Sequence, residues 1–158
     1  MSIDSRELRD ALGHFSTGVC VATAIDPAQK AVGMTVNSFA AVSLEPPLVL
    51  WCIQKDSDRF PLYTAADGFG ISVLGEEQQE LSDRYAQKEP YELVPGSFRI
   101  GESGQALLND SIADFGCVIT QRIDGGDHII LVGEVIEMGH SPGSSPLVFF
   151  GGEYRQLR

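Results

Sequence analysis

Positive charge is scarce in this chain. Its 158 residues carry 11 Lys+Arg against 22 Asp+Glu, a formal net charge of −11. Binding nucleic acid takes a basic face that neutralises phosphates, so a nucleic-acid partner is excluded, and an anionic membrane surface with it. The balance still allows one local basic pocket for a small phosphate ligand. Long apolar runs are missing too, and none approaches the roughly 18 residues of a transmembrane helix. Met1 to Asp10 is charged and has no apolar signal core, so secretion is not expected. Cysteine is sparse and scattered: Cys20, Cys52 and Cys117, with no C-x-x-C. That spacing points to neither a zinc site nor a disulfide framework. Each cysteine lies in a mostly apolar stretch, which reads as buried thiols in a reducing cytoplasm. His14, His128 and His140 are not at metal-ligand spacing.

Several catalytic signatures are absent or fail. No G-x-G-x-x-G follows a strand and no P-loop occurs, so neither a Rossmann dinucleotide site nor a P-loop NTPase is indicated. Gly139-His140-Ser141-Pro142-Gly143 matches the esterase pattern G-x-S-x-G. Its oxyanion hole would need the backbone N–H of the residue after the serine, and Pro142 has none. No histidine follows Ser141 to complete the usual order of such a triad.

What is present is an ordinary globular composition, 43% hydrophobic and 21% charged, of a length that suits one domain over residues 1–158. Residues 4–15 read as a helix: Leu8, Ala11, Leu12 and Phe15 form one apolar stripe, and Asp4 can cap it. Thr17 to Ile25 reads as a strand covered on both faces. An extended segment runs from Ala31 to about Val42, and the apolar run Leu48–Ile53 reads as a central strand. A short helix is expected over Phe60–Ala66 and a strand over Phe69–Leu74. Glu76 to Lys88 reads as a second long helix with an i,i+4 pair between Glu80 and Arg84. Residues 89–104 read as loop. Ala113–Ile123 and His128–Met138 read as long strands joined by a turn at 124–127. Leu147–Phe150 and Tyr154–Leu157 are the last extended segments. The elements do not alternate as βαβ, so a mainly β, mostly antiparallel barrel or sandwich with flanking helices is expected.

Three polar groups stand out. Thr35, Asn37 and Ser38 interrupt an apolar strand region; they suit either a hydrogen-bonding ligand or a solvated strand face. Ser57 and Arg59, with Lys55 nearby, can hold a phosphate or form an exposed charged loop. His128, after Asp127 at a strand start, is either structural or a hydrogen-bonding group at a cleft edge.

Together these segments carry a resemblance. Asp10–Val19 (DALGHFSTGV), Gly33–Phe39 (GMTVNSF) and Val42–Leu48 (VSLEPPL) come first, then Cys52-Ile53 and Ser57. Phe69–Leu74 (FGISVL), Leu81–Ala86 (LSDRYA), Gly126–Val135 (GDHIILVGEV) and Pro146–Tyr154 (PLVFFGGEY) follow in order. From about Arg9 to Leu157 the chain resembles the short-chain flavin reductases, the reductase components of two-component flavin monooxygenases. The resemblance implies an FMN-binding split β-barrel of Greek-key type, expected as a homodimer with flavin near the subunit interface. Thr35, Val36, Asn37 and Ser38 match the strand lining the isoalloxazine and ribityl chain. Ser43 lies in the matching loop before the double proline. Cys52, Ile53 and Ser57 match the ribityl and phosphate segment, and either Arg59 or Arg84 would supply the phosphate's positive charge. His128 matches the histidine near the nicotinamide, and Tyr154 the late aromatic near the pocket. Two acids, Asp56 and Asp58, depart from a simple phosphate loop.

The activity so implied is hydride transfer from NADH or NADPH to FMN or FAD. Reduced flavin would then diffuse to a separate oxygenase. Flavin and nicotinamide carry the redox chemistry, which accounts for the lack of an acid–base dyad. The alternative function is a non-enzymatic flavin- or haem-binding protein of the same fold. An oxidase that keeps its flavin tightly bound is a further possibility.

Overall fold

The computed structural model describes residues 2–158, so Met1 of the charged opening segment lies outside the described residues. The chain runs α1 (Ser5–Leu12), β1 (Thr17–Gly18), β2 (Cys20–Ile25), β3 (Ala31–Val36), β4 (Ala40–Leu44) and β5 (Pro47–Gln54). It continues through α2 (Phe60–Ala65), β6 (Gly68–Val73), a 3₁₀ turn (Glu76–Gln78), α3 (Gln79–Ala86), β7 (Phe98–Ile100) and β8 (Ala106–Leu108). The last elements are β9 (Ala113–Gly125), β10 (His128–His140), β11 (Val148–Phe150) and β12 (Glu153–Arg155).

Seven strands form one sheet in the order β3-β2-β6-β9-β10-β5-β4, with every ladder antiparallel. β3 and β4 follow each other in the chain, yet they occupy opposite edges of this sheet. A flat sheet of seven strands would hold its edges about 29 Å apart. Val36 and Ala40 are four residues apart and can be separated by about 14 Å at most. The sheet must therefore curl until its edges meet. The result is a split β-barrel, mainly antiparallel, with the helices outside it.

Residues 37–39 cross the split, which is why the extended segment expected over 31–42 breaks there. Phe39 anchors the crossing by stacking on Phe115 at 5.6 Å between ring centroids. Ser38 closes the edge of β5. Ladder pairing with β4 reaches only Leu50, so the Cys52 amide and carbonyl lack a strand partner on that side. The Cys52 N–H donates to Ser38 Oγ at 3.0 Å, and Ser38 Oγ donates to Cys52 O at 3.3 Å.

The barrel interior is built on Trp51, whose ring meets Tyr63 and Phe69 edge-on at 5.1 and 6.0 Å. Ile53, Ile71, Leu131 and Val32 pack with them. Each such side chain contributes about 1.5–3 kcal/mol on burial. The Tyr63 hydroxyl donates to Ala22 O at 2.7 Å, and burial raises its pKa. A second cluster outside the barrel, with Val21, Leu74, Tyr85, Leu93 and Leu108, seats α3 and β8. Gly33 permits the approach: a Cβ there would lie 2.8 Å from Leu93 and 3.4 Å from Tyr85.

β5 sits one strand in from the edge rather than at the sheet's centre. Its burial alternates, with Val49, Trp51 and Ile53 in the core and Leu48, Leu50 and Cys52 half-covered. The β9–β10 turn is tighter than expected, with Gly125 opposite His128 and Gly126 at φ 73°. Residues 89–104 are not all loop. Residues 91–93 pair along the outer edge of β3, and β7 pairs with β8. Five prolines and glycines in this stretch, and pairings of only a few residues, hide that order from periodicity. Among the described residues the Glu80–Arg84 ion pair is absent, and the Arg84 guanidinium lies 5.8 Å from the Tyr85 ring centroid. No helix among the described residues is long and apolar enough to cross a membrane.

Candidate active site

Two hollows meet on the outer side of the split. The larger, about 470 Å³, is lined by Thr35, Gln54, Ser57, Tyr85 and Lys88, with Asp56 and Asp58 at its rim. The smaller, about 210 Å³, is lined by Val19, Val36, Asn37, Phe149 and Tyr154. Thr35 and Ala86 belong to both and mark the junction. One end thus offers a hydroxyl, amides and a cation. The other offers an apolar shelf with one amide and one phenol. That donor set suits a ligand with a flat apolar ring at one end and an anion at the other, which fits a flavin nucleotide.

Strand alternation makes this arrangement. Val32 and Met34 pack on the barrel core, with Val36 half-buried at the end of the strand, while Thr35 faces α3. The Thr35 hydroxyl donates to Ser82 O at 2.6 Å. Ser82 Oγ in turn shares a 2.6 Å hydrogen bond with the Tyr154 hydroxyl, and Tyr154 packs edge-on against Phe149 at 5.5 Å. Burial raises the Tyr154 pKa, against the opposing effect of the Ser82 hydrogen bond, so the phenol is a proton-bearing donor at neutral pH.

Of the residues expected at a site, the structure brings Thr35, Val36, Asn37, Ser57, Arg59 and Tyr154 to the walls of these hollows. Ser38 and Cys52 lie at the split, bonded to each other through Ser38 Oγ. Burial raises the pKa of the half-exposed Cys52 thiol. The Ile53 side chain is 1% exposed and points into the barrel core, leaving only its backbone on the outer side. Ser43 stands at an irregularity on edge strand β4, outside both hollows. Lys55 is tied to Asp124 by an ion pair and does not face the groove.

The two arginines differ sharply. Arg59 is 4% exposed, and its guanidinium donates to backbone carbonyls of β3 and of the end of α3. Arg84 lines a separate surface hollow with Pro90, Tyr91 and Leu93. The exposed cation at the groove is Lys88. It went unnoticed in the sequence because it sits just past a helix end, where a lysine suits the dipole anyway.

His128 stands at the start of β10, paired in register with Gln54 of the groove wall and so about 5 Å from it along the sheet. Its Nδ1 donates to Asp127 Oδ1 at 2.7 Å, and this hydrogen bond lowers the Asp127 pKa. The His128 side chain is 40% exposed. Ser82, Phe149, Gln54 and Gln87 also line or support the hollows and were not singled out by sequence. Their polar or apolar character fits ordinary helix and strand positions, so only the fold reveals them.

A family model described as "Flavin reductase like domain" matches residues 12–158. The chain is 43% identical over 152 residues to the FMN reductase (NADH) SmoA of Agrobacterium fabrum, covering 96% of this chain and 85% of that one. It is 38% identical over 154 residues to the flavin-dependent monooxygenase reductase subunit HsaB of Mycobacterium tuberculosis, covering 96% and 82%. Against a probable flavin reductase of Rhizobium meliloti, at 40% identity, it spans only 48% of that protein's length. Among solved structures, the NADH:FAD oxidoreductase SgcE6 of Streptomyces globisporus C-1027, in complex with NAD and FAD fragments, superposes with a TM-score of 0.91. That match is at 34% identity and covers 100% of this chain and 97% of SgcE6. A split barrel with a ring-and-anion groove, matched over nearly its whole length by that model, places this chain in the flavin reductase family.

Proposed function

We propose that the two joined hollows are one flavin site, at which the chain, as a single domain, acts as an NAD(P)H:flavin oxidoreductase. The observation that carries this reading is their meeting at Thr35 and Ala86, with an apolar shelf at one end and Lys88 with Ser57 at the other. When bound, the flavin supplies an N5 that accepts hydride from nicotinamide C4. The protein's task is to hold the two rings face to face within near-attack distance, about 3–3.5 Å. Val19, Val36 and Phe149 give the flat ring an apolar bed, and Asn37 can hydrogen-bond its polar edge. The Tyr154 hydroxyl, oriented by Ser82, donates toward the same end. Ser57 Oγ and Lys88 Nζ serve the phosphate, while Asp56 and Asp58 limit how much negative charge the groove tolerates.

His128 binds the nicotinamide. With its Nδ1–H committed to Asp127, the ring leaves Nε2 free to hydrogen-bond the nicotinamide carboxamide. Reduced flavin leaves for a separate oxygenase, a role supported by the reductase-subunit name of HsaB. Two copies pair as a homodimer, supported by α1, none of whose residues is buried in one chain. The chain works in the cytoplasm. That placement is supported by three free cysteines, two of which, Cys20 and Cys117, have thiol pKa values pushed up to about 12 by burial.

Anaerobic oxidation of NADH and NADPH with added FMN, FAD and riboflavin tests the reading. With flavin in excess over protein, catalytic oxidation of one nicotinamide per added flavin, ending when all the flavin is reduced, is the expected result. Tight flavin binding without nicotinamide oxidation would instead make the chain a carrier.

A further inference from the structure

Arg59 is the most heavily bonded side chain beside the groove, and none of its bonds goes to a group that could be a ligand. Nη1 donates to Gly33 O at 3.1 Å and to Tyr85 O at 3.0 Å. Nη2 donates to Gln87 O and, at 3.2 Å, to Lys88 O. The planar guanidinium lies 5.1 Å from the centroid of the Tyr91 ring. A guanidinium has five N–H donors, and these bonds use the four on its terminal nitrogens. The fifth, on Nε, has no partner and is sealed from solvent, out of reach of anything in the groove. Arg59 therefore has no accessible donor left for a phosphate.

Its bonds join three pieces of the site. Gly33 precedes Met34 and Thr35 on the β3 wall, and Tyr85, Gln87 and Lys88 form the end of α3 and the strand-like exit after it. Arg59 itself belongs to the loop that carries Ser57, whose Oγ accepts from the Arg59 N–H at 3.2 Å. The last carbonyls of a helix lack intrahelical donors, and here an arginine from another element supplies them. We infer that Arg59 is a positioning residue: a latch that fixes the width of the flavin groove and the placement of Lys88, without touching the phosphate. Lysine cannot replace it, because an ammonium carries three donors and no planar fork.

This inference rests on the flavin reading of the groove, and riboflavin, which lacks the phosphate, separates the two. Binding of FMN and riboflavin is measured by flavin fluorescence quenching at several salt concentrations, below the melting temperature of each variant. Arg59→Lys is expected to weaken both flavins by a common factor, about tenfold. The salt dependence of FMN binding should stay that of the wild type. Lys88→Ala is expected to weaken FMN alone and to flatten that salt dependence, since exposed ion pairs are screened. Should Arg59→Lys fail to fold, Tyr91→Leu removes the stacking face and should show the same common factor. Loss of FMN binding with riboflavin binding intact in the Arg59 variant would overturn the latch and make Arg59 a phosphate ligand. Unchanged binding of both would overturn it as well. Wild-type protein that binds neither flavin would overturn the reading of the groove itself and the latch's purpose with it.

Discussion

Ser82 holds three elements together: its carbonyl accepts from Thr35 on β3, and its hydroxyl meets Tyr154 on β12. Such a buried chain of hydrogen bonds fixes where polar atoms face a ring, which loose surface side chains cannot do. His128 works differently, because it is half-exposed and anchored only through Asp127. We predict that His128→Ala lowers kcat/KM for NADH by about 10–100-fold, the worth of one hydrogen bond to a charged or strongly polar group. The FMN dissociation constant should stay within about twofold of the wild-type value. Stopped-flow reduction and fluorescence titration measure the two, and lost flavin binding with unchanged hydride transfer would rule out the nicotinamide role. At this scale the sequence was legible where side chains interrupt a pattern. Thr35 and Asn37 stood out because polar groups sat among apolar ones, whereas Tyr154 entered only through the resemblance. Arg59 and Arg84 did not separate, and Lys88 was missed, because charge alone cannot tell a buried guanidinium from an exposed cation.

α1 shows how an element can be read correctly and still lack its context. Asp4 caps it as expected, accepting from the N–H of Arg6 and Glu7 at 2.9 and 3.0 Å. Its apolar stripe, however, is left largely uncovered: Leu8, Leu12 and Phe15 are 47%, 63% and 78% exposed. A stripe of that kind is stable in water when a second surface covers it. Pairing of two chains is therefore expected to depend on α1. Sedimentation equilibrium at micromolar concentration should show a dimer, and Leu12→Lys with Phe15→Lys should weaken it by about tenfold or more per side chain. A monomeric wild type, or a double variant that pairs as well, would contradict this. Helix and strand periods located α1, α3, β2, β9 and β10. They could not locate β7 and β8, whose ladder is three residues long and of which β8 rests on β6 and β9.

On the scale of the whole molecule, topology does what no local pattern announces. Nothing in residues 31–44 tells that β3 and β4 will end on opposite edges of one sheet. Once they do, the four-residue step from Val36 to Ala40 bends seven strands into a barrel and leaves its seam at residues 37–39. The seam, α3 and the β11–β12 hairpin then enclose the groove, so Thr35 and Tyr154, 119 positions apart in the chain, line one hollow. In a chain of net charge −11, Lys88 brings an exposed cation to a groove that also carries Asp56 and Asp58 at its rim. A crystal structure with bound FMN decides whether the joined hollows are one site. The isoalloxazine should lie on Val36 and Phe149 beside Asn37 and Tyr154, with the phosphate next to Ser57 and Lys88 and the Arg59 guanidinium still on its four carbonyls. A ring found elsewhere on the protein, or a phosphate seated on Arg59 with those carbonyls released, would contradict it.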